Sequence, residues 1–579
     1  MPALRQTGKD DMFLKTTISQ GHKYLQIIQS YRKDGKVKHR VVANLGRADA
    51  VASSGWENII AAIQKYLDKT KSNLRDVSTL KEKARVNYGY IVYKKLWDKY
   101  SITELLDNLI DKSKIEYSFS SIIFSVVIDR LLLPSSKRSY YFHRDRYFQY
   151  DDSLGLHQIY RALDILSENK EKIEEYIFNK NRTLFNMKVD IVFYDVTTYH
   201  FESQRQDELR DFGFSKANKI NEVQVVMGLL IDTEGRPIGY ELFPGNTFEG
   251  KTMLKVLKKL KNLFNLQQVI IVADKGLNAK INLKEIKDNG FDYIVSARIK
   301  NMQRTVQEKI LSGNDYIDKS KTQNDEQGQE EIYRYKIIDY DNKVTYEDEQ
   351  REKKKTVVLK EKMVCTYSSK RAMKDLRDRT RAIEKAERIV KEQSHNQLNE
   401  KRGYKKYITT TSNSEDKKDK SASVLQIDKE RIERESRFDG YSAIEYSRED
   451  LSAEEVIEQY HKLYKIEESF RILKSTMRTR PIYLRTREHI EGHFVICFFA
   501  FLLERELELR LRRRQIEFSS EKIKKALNTV EFSEVEIEGQ KYYLKGKQDK
   551  LSSEIFSLLR IKQPRHLLSK EEALEYINQ

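Results

Sequence analysis

The chain has 579 residues, too many for one ordinary core, so a main domain with appended or inserted modules is expected. Lysine and arginine number 107 against 89 aspartates and glutamates, a formal charge of +18, which favours a polyanionic partner, nucleic acid first and an anionic membrane second. Two distant cysteines, Cys365 and Cys497, exclude a disulfide framework and a cysteine zinc pattern. The longest uncharged apolar run, FVICFFAFLL at 494–503, is half a membrane span. With no apolar signal core in MPALRQTGKDDMF, a soluble cytoplasmic protein with no membrane partner is expected.

In chain order, a basic β-rich segment is expected over 1–50. Residues 22–48 alternate apolar and polar about a KDGK turn, as a β-hairpin does, and the polar face carries Arg32, Lys33, Lys36, Lys38, His39 and Arg40. Helical periodicity predicts an α-helical module over 51–180, with segments such as SSIIFSVVIDRLLL, and the chain's basic balance makes DNA binding its expected role. Between 181 and 300 strands alternate with helices in the order βββαβαβ, the sign of an α/β domain. An insertion over 301–450 combines short strand-like pieces, the charged helix MKDLRDRTRAIEKAERIVKEQ and the low-complexity TTTSNSEDKKDKSASV. Helical periodicity resumes over 451–515, and a C-terminal segment spans 516–579.

Three carboxylates carry the chemistry. The β-forming run Val189–Tyr194 ends at Asp195, and the run Val269–Ala273 ends at Asp274. One such aspartate is ordinarily a turn opener, but two in one α/β unit meet where such sheets build their sites. The third lies in LYKIEESFRILK, residues 463–474. Counted as one helix, Tyr460, Leu463, Glu467, Phe470 and Lys474 share a stripe. That count puts Glu467 inward, where a carboxylate needs a cation, and leaves Glu468 as an ordinary solvated glutamate. Two aspartates and one glutamate form a hard oxygen set suited to Mg²⁺ or Mn²⁺.

The set resembles the DDE transposases of bacterial insertion sequences, whose signature reads Tyr-x2-Arg-x3-Glu-x6-Lys. Tyr460, Glu467 and Lys474 stand at that spacing, and FYDVTTYHFES and VIIVADKG are similar to the two aspartate segments. RTRPIYLRTREHIEGHF, with Arg480, Pro481 and His493, is similar to the stretch that follows. The arginine position holds Leu463, so a phosphate contact there must come from elsewhere, Arg471 or Arg480 being the nearest cations.

The resemblance implies an α/β fold with a ribonuclease H-like catalytic core, split over 181–300 and 451–515 around a β-containing insertion, plus the N-terminal β-hairpin and α-helical modules. It implies that Asp195, Asp274 and Glu467 are the catalytic residues and hold two Mg²⁺ ions, with Mn²⁺ a substitute. It further implies Tyr460, Lys474, Arg471 and Arg480 as DNA contacts, and double-stranded DNA as partner, both the element's terminal inverted repeats and the target. A homodimer in the synaptic complex and a location with the nucleoid in the bacterial cytoplasm follow from the same analogy. The rival readings are a ribonuclease H-like nuclease that only hydrolyses and a catalytically inactive DNA-binding derivative.

His200, His461, His489 and His493 match no zinc spacing, and His493 reads as a packed histidine. Tyr199 lacks the basic cluster of a recombinase nucleophile. GFSKANK at 213–219 reads equally as a DNA-touching turn and a solvated loop, and RELELRLRRRQ as a DNA contact or a solvated face.

Overall fold

A computed structural model describes residues 12–19, 21–33, 36–49, 81–185, 187, 189–213, 222–319, 321–324, 330–348, 353–392, 403–412, 423–537 and 540–578. Its centre is a nine-stranded mixed sheet. The strand Ile191–His200 lies third from one edge of it. On one side it pairs antiparallel with Gln224–Ile231, which pairs with Pro237–Pro244; on the other it runs parallel to Ile270–Ala273, and that strand parallel to Asp292–Ser296. With helices Met253–Asn262 and Lys280–Asp288 between them, these five strands follow the expected order βββαβαβ. The strands Gln224–Ile231 and Ile270–Ala273 are buried throughout, so they read as unbroken apolar runs rather than alternating ones.

The sheet does not stop where the insertion begins. Tyr441–Tyr446 pairs antiparallel with Asp292–Ser296, and beyond it stand Lys353–Ser368, Tyr333–Asp348 and Ile317–Asp318. The 23-residue helix Ser369–Lys391 follows, capped by the Ser368 hydroxyl, which accepts from the Arg371 backbone N–H.

At the N-terminus three antiparallel strands form, Met12–Ser19, His22–Lys33 and Lys36–Arg47. The expected hairpin is there with one strand more; residues 34–35 of its turn lie outside the described residues, as do 51–80 of the helical module and 214–219 of the GFSKANK loop. One element departs from the helical expectation: Lys81–Asn87 is a strand, paired with Glu531–Ile537 from the far end of the chain. Its partner is remote in sequence, so local periodicity does not reveal it.

FVICFFAFLL belongs to the helix Arg487–Arg513, which runs buried through the core against Phe119–Leu132 and Leu156–Glu168. Among the described residues no single helix is long and apolar enough to cross a membrane.

Candidate active site

Strand register places the two aspartates. Tyr194 is the partner of Ala273 across the parallel pair, so the next residue of each strand, Asp195 and Asp274, stand side by side where Ile270–Ala273 ends. Asp195 is half-buried and accepts a 2.7 Å hydrogen bond from the Val196 N–H; Asp274 is exposed. The turn after Asp274 is tight. A Cβ on Gly276 would stand 2.9 Å from Oε2 of Glu249, a carboxylate that sequence reading left unassigned and that the Glu249–Lys251 turn brings to this edge.

The helix Ala453–His461 packs on the second aspartate strand, started by a capping box in which Ser452 and Glu455 satisfy each other's N–H groups. Tyr460, in its last turn, donates its hydroxyl to Asp274 Oδ1 at 3.4 Å. Burial is the main cause that raises this phenol's pKa; a hydrogen bond with Ser296 opposes it, Asp274 adds to it, and Arg371 opposes it more weakly.

Glu467 and Glu468 reverse their expected exposure. The helix is not continuous: it ends at His461, restarts at Tyr464, and passes into a π-helical turn at Ile472–Thr476. A single stripe counted across that break is out of phase. The inward face is formed by Leu463, Ile466, Phe470 and Leu473, packed toward Ile191–His200. Glu467 borders that face and is exposed, so it is not the core-facing carboxylate that the count predicts. Glu468 is not solvated. Arg505 and Arg512 of the long helix reach it at 2.9 Å each, with Arg471 at 4.0 Å. Burial would raise the Glu468 carboxyl, but the Arg505 and Arg512 guanidiniums hold it below the usual carboxylate range.

Lys474 donates its ammonium to Thr197 Oγ1 and lies 5.6 Å from the ring centre of Tyr199. Asp195, Thr197 and Tyr199 share one face of their strand, so Lys474 is tethered on the face that carries Asp195. Arg480 is half-buried and acts electrostatically on Tyr199, and Ile482 bonds the His200 carbonyl at 3.1 Å, which lays the RP segment against the end of the same strand. Arg471 is largely exposed, and Leu463 is buried.

The structure therefore joins Asp195, Asp274 and Tyr460 at one edge and sets Lys474 and Arg480 along the strand that carries Asp195. Glu467 stands on a helix laid over that strand, and no three Asp, Glu, His or Cys side chains among the described residues gather closely enough to hold a metal ion.

The remaining candidates resolve into packing. Tyr199 is fully buried, its hydroxyl pushed well above its ordinary pKa by burial, and Phe494 meets it edge-on. His493 is a packed histidine, held neutral by burial, 3.4 Å from the Thr479 carbonyl. The arginine run is largely committed to ion pairs: Arg505 with Glu468 and Glu508, Arg510 with Glu506, Arg512 with Glu468 and Arg513 with Glu234.

Residues 187–503, spanning both aspartates and Glu467, match the family described as transposase DDE domain, and residues 14–75 match the N-terminal domain of IS1634 family transposases. No curated protein matches the chain. Among solved structures, the piggyBac transposase synaptic complex with hairpin DNA is 9% identical with a TM-score of 0.34, covering 86% of this chain and 87% of that one. The Mos1 transposase paired-end complex with left transposon end is 15% identical with a TM-score of 0.14, covering 42% and 70%.

Proposed function

The chain belongs to the DDE transposase family, whose domain takes in residues 187–503, and from that premise we propose that it binds the terminal inverted repeats of its insertion sequence and catalyses DNA cleavage and strand transfer. Water attacks a phosphodiester at the element's end, and the released 3′-hydroxyl then attacks target DNA. The observation that carries this reading is the register that sets Asp195 beside Asp274, with Tyr460 bonded to the second and Lys474 tethered on the face of the first.

The core is taken as ribonuclease H-like, supported by the order βββαβαβ around three parallel strands. Asp195 and Asp274 offer hard oxygen donors side by side, and two adjacent carboxylates suit a divalent cation, Mg²⁺ or Mn²⁺. Asp195 and Asp274 would hold it, with Glu467 as the third carboxylate. Bound metal would lower the pKa of the attacking oxygen and take up charge on the leaving one. The protein's own groups supply the rest. The Tyr460 hydroxyl orients the Asp274 carboxylate, and Lys474, its ammonium fixed by Thr197, offers a point charge to a DNA phosphate. Synapsis of two ends calls for a homodimer.

The test is cleavage and joining of a DNA fragment that carries the element's ends, with Mg²⁺ present. Asp195→Asn and Asp274→Asn should abolish cleavage and spare end binding. Cleavage retained by either variant would sink the assignment, and cleavage by the wild type with no joined product from precut ends would leave only a hydrolytic nuclease.

A further inference from the structure

A cleft of about 480 Å³ opens beside the paired aspartates, between the catalytic sheet edge and the insertion. One wall is Lys275, the residue after Asp274, with Ser296 and Lys300. The other is the helix Ser369–Lys391, which contributes Arg371, and the short turn Gly403–Tyr407, which contributes Lys406.

The charges of this cleft are unevenly matched. At one end the pairs are closed: Arg379 with Asp439, and Lys406 with Glu435 at 2.5 Å, where the Tyr407 hydroxyl and Arg431 also meet Glu435. Elsewhere they are loose. Arg371 is 54% exposed, and its nearest carboxylate, Asp375, is 3.7 Å away and also accepts from the Gly440 N–H. Lys300 is 47% exposed and stands 3.8 Å from Glu435, a carboxylate that Lys406 already holds more closely. Arg298 donates to the backbone carbonyls of Lys275 and Gly276 at 3.0–3.3 Å, so it braces the turn after Asp274 while keeping its charge; neither it nor Lys275 forms an ion pair among the described residues.

Lys275, Lys300 and Arg371 thus line the Asp274 side of the cleft without a close ion pair, with Arg298 behind them. Of the four lining carboxylates, Asp439 and Glu435 are matched by Arg379 and Lys406, Asp375 is held by the Gly440 N–H, and Asp378 is exposed. The loose cations exceed the loose carboxylates, and a polyanion lying there would relieve their repulsion. Leu463 is buried and brings no charge here, whereas Arg371 acts electrostatically on the Tyr460 hydroxyl that bonds Asp274. We infer that this cleft is a phosphate-binding site for the DNA strand that runs out of the active site, with Arg371 and Lys300 as its contacts. The insertion then serves as the second wall of the substrate channel. This rests on the DNA reading above and adds to it which surface outside the carboxylates grips the backbone.

The experiment is equilibrium binding of the full chain to a linear duplex of arbitrary sequence across a range of salt concentrations. Wild type is compared with a double Arg371→Ala, Lys300→Ala variant and with a charge-matched control, Lys550→Ala with Arg565→Ala, two highly exposed cations of the C-terminal segment. Loss of the two cleft contacts should shrink the slope of log K against log salt by about two and weaken binding alike for all sequences, with Arg371→Lys restoring most of the loss. The thermal melt should not move. A steep wild-type slope that the cleft variant leaves unchanged, or an equal loss in the control, overturns the cleft proposal alone. A flat wild-type response removes the DNA reading and the cleft with it.

Discussion

Two carboxylate-rich regions lie back to back, and the neighbours Glu467 and Glu468 belong one to each. Behind Glu468 the buried end of the long helix is closed: Arg505, fully buried, is shared between Glu468 and Glu508 at 2.9 Å each, and Ser520 bonds the far oxygen of Glu508. At the sheet edge the carboxylates are open. Asp274 is exposed with one long hydrogen bond from Tyr460, and Glu467 is exposed with no hydrogen bond or ion pair among the described residues. A buried charge must be matched within the protein, whereas an exposed carboxylate at a strand end keeps its lone pairs for a ligand. Closed carboxylates hold the fold, and open ones are available for the role proposed for them.

The sharpest way to break this contrast is to neutralise the two glutamates separately. Glu467→Gln should remove detectable cleavage and leave the melting midpoint in place. Glu468→Gln should do the opposite, losing about 1–3 kcal/mol of stability as a charged hydrogen-bond cluster is opened, and cleaving normally at a temperature where it stays folded. A Glu468→Gln enzyme that is stable but inactive would show that the open region extends to both residues.

Arg505→Ala should be more damaging to stability than Glu468→Gln. It leaves Glu468 and Glu508 facing each other without their shared cation, and breaking a buried pair in this way costs about 3–5 kcal/mol. Denaturant or thermal unfolding reads the change. A loss under about 1 kcal/mol, the range of a surface pair, would mean that the closed region is far more hydrated than its burial indicates.

The open region was the more legible in sequence, for a local reason. A β-run ending in aspartate is a short-range pattern, and two of them in one α/β unit announce a shared edge, which the Tyr194–Ala273 register bears out. The closed region depends on contacts between distant segments. Glu468 meets Arg505 and Arg512, and Arg513 meets Glu234, across hundreds of positions in the last case. A charge run seen alone therefore reads as a solvated face. The phase of Glu467 failed for a third reason: helical counting assumes an unbroken helix, and the restart at Tyr464 with the π-turn at Ile472 is a tertiary outcome. The same holds for Lys81–Asn87, whose strand partner is at the other end of the chain.

A third kind of carboxylate sharpens the rule, because it is buried without an ion pair among the described residues. Glu361 accepts from the Tyr293 hydroxyl at 2.5 Å and from Asn342 at 3.1 Å, and Glu445 lies near it on the neighbouring strand. Burial first, and then the like charge of Glu361, push the Glu445 carboxyl up to about 8, against the opposing influence of Asn278, Lys280 and Arg298. Its folded pKa lies above its unfolded value, so the native state holds a proton that the unfolded chain has lost across the interval between them. The stabilisation is complete below the unfolded pKa and is lost as pH rises through the folded one. Stability should accordingly decline as pH climbs from about 5 toward 8, by up to about 1.4 kcal/mol per pH unit from this group. Glu445→Gln, which keeps the shape and cannot ionise, should flatten that decline while leaving the response of the Glu468 cluster intact. An unchanged pH profile in Glu445→Gln would show that Glu445 is ionised in the native protein, matched by a cation or water, and would return it to the closed class.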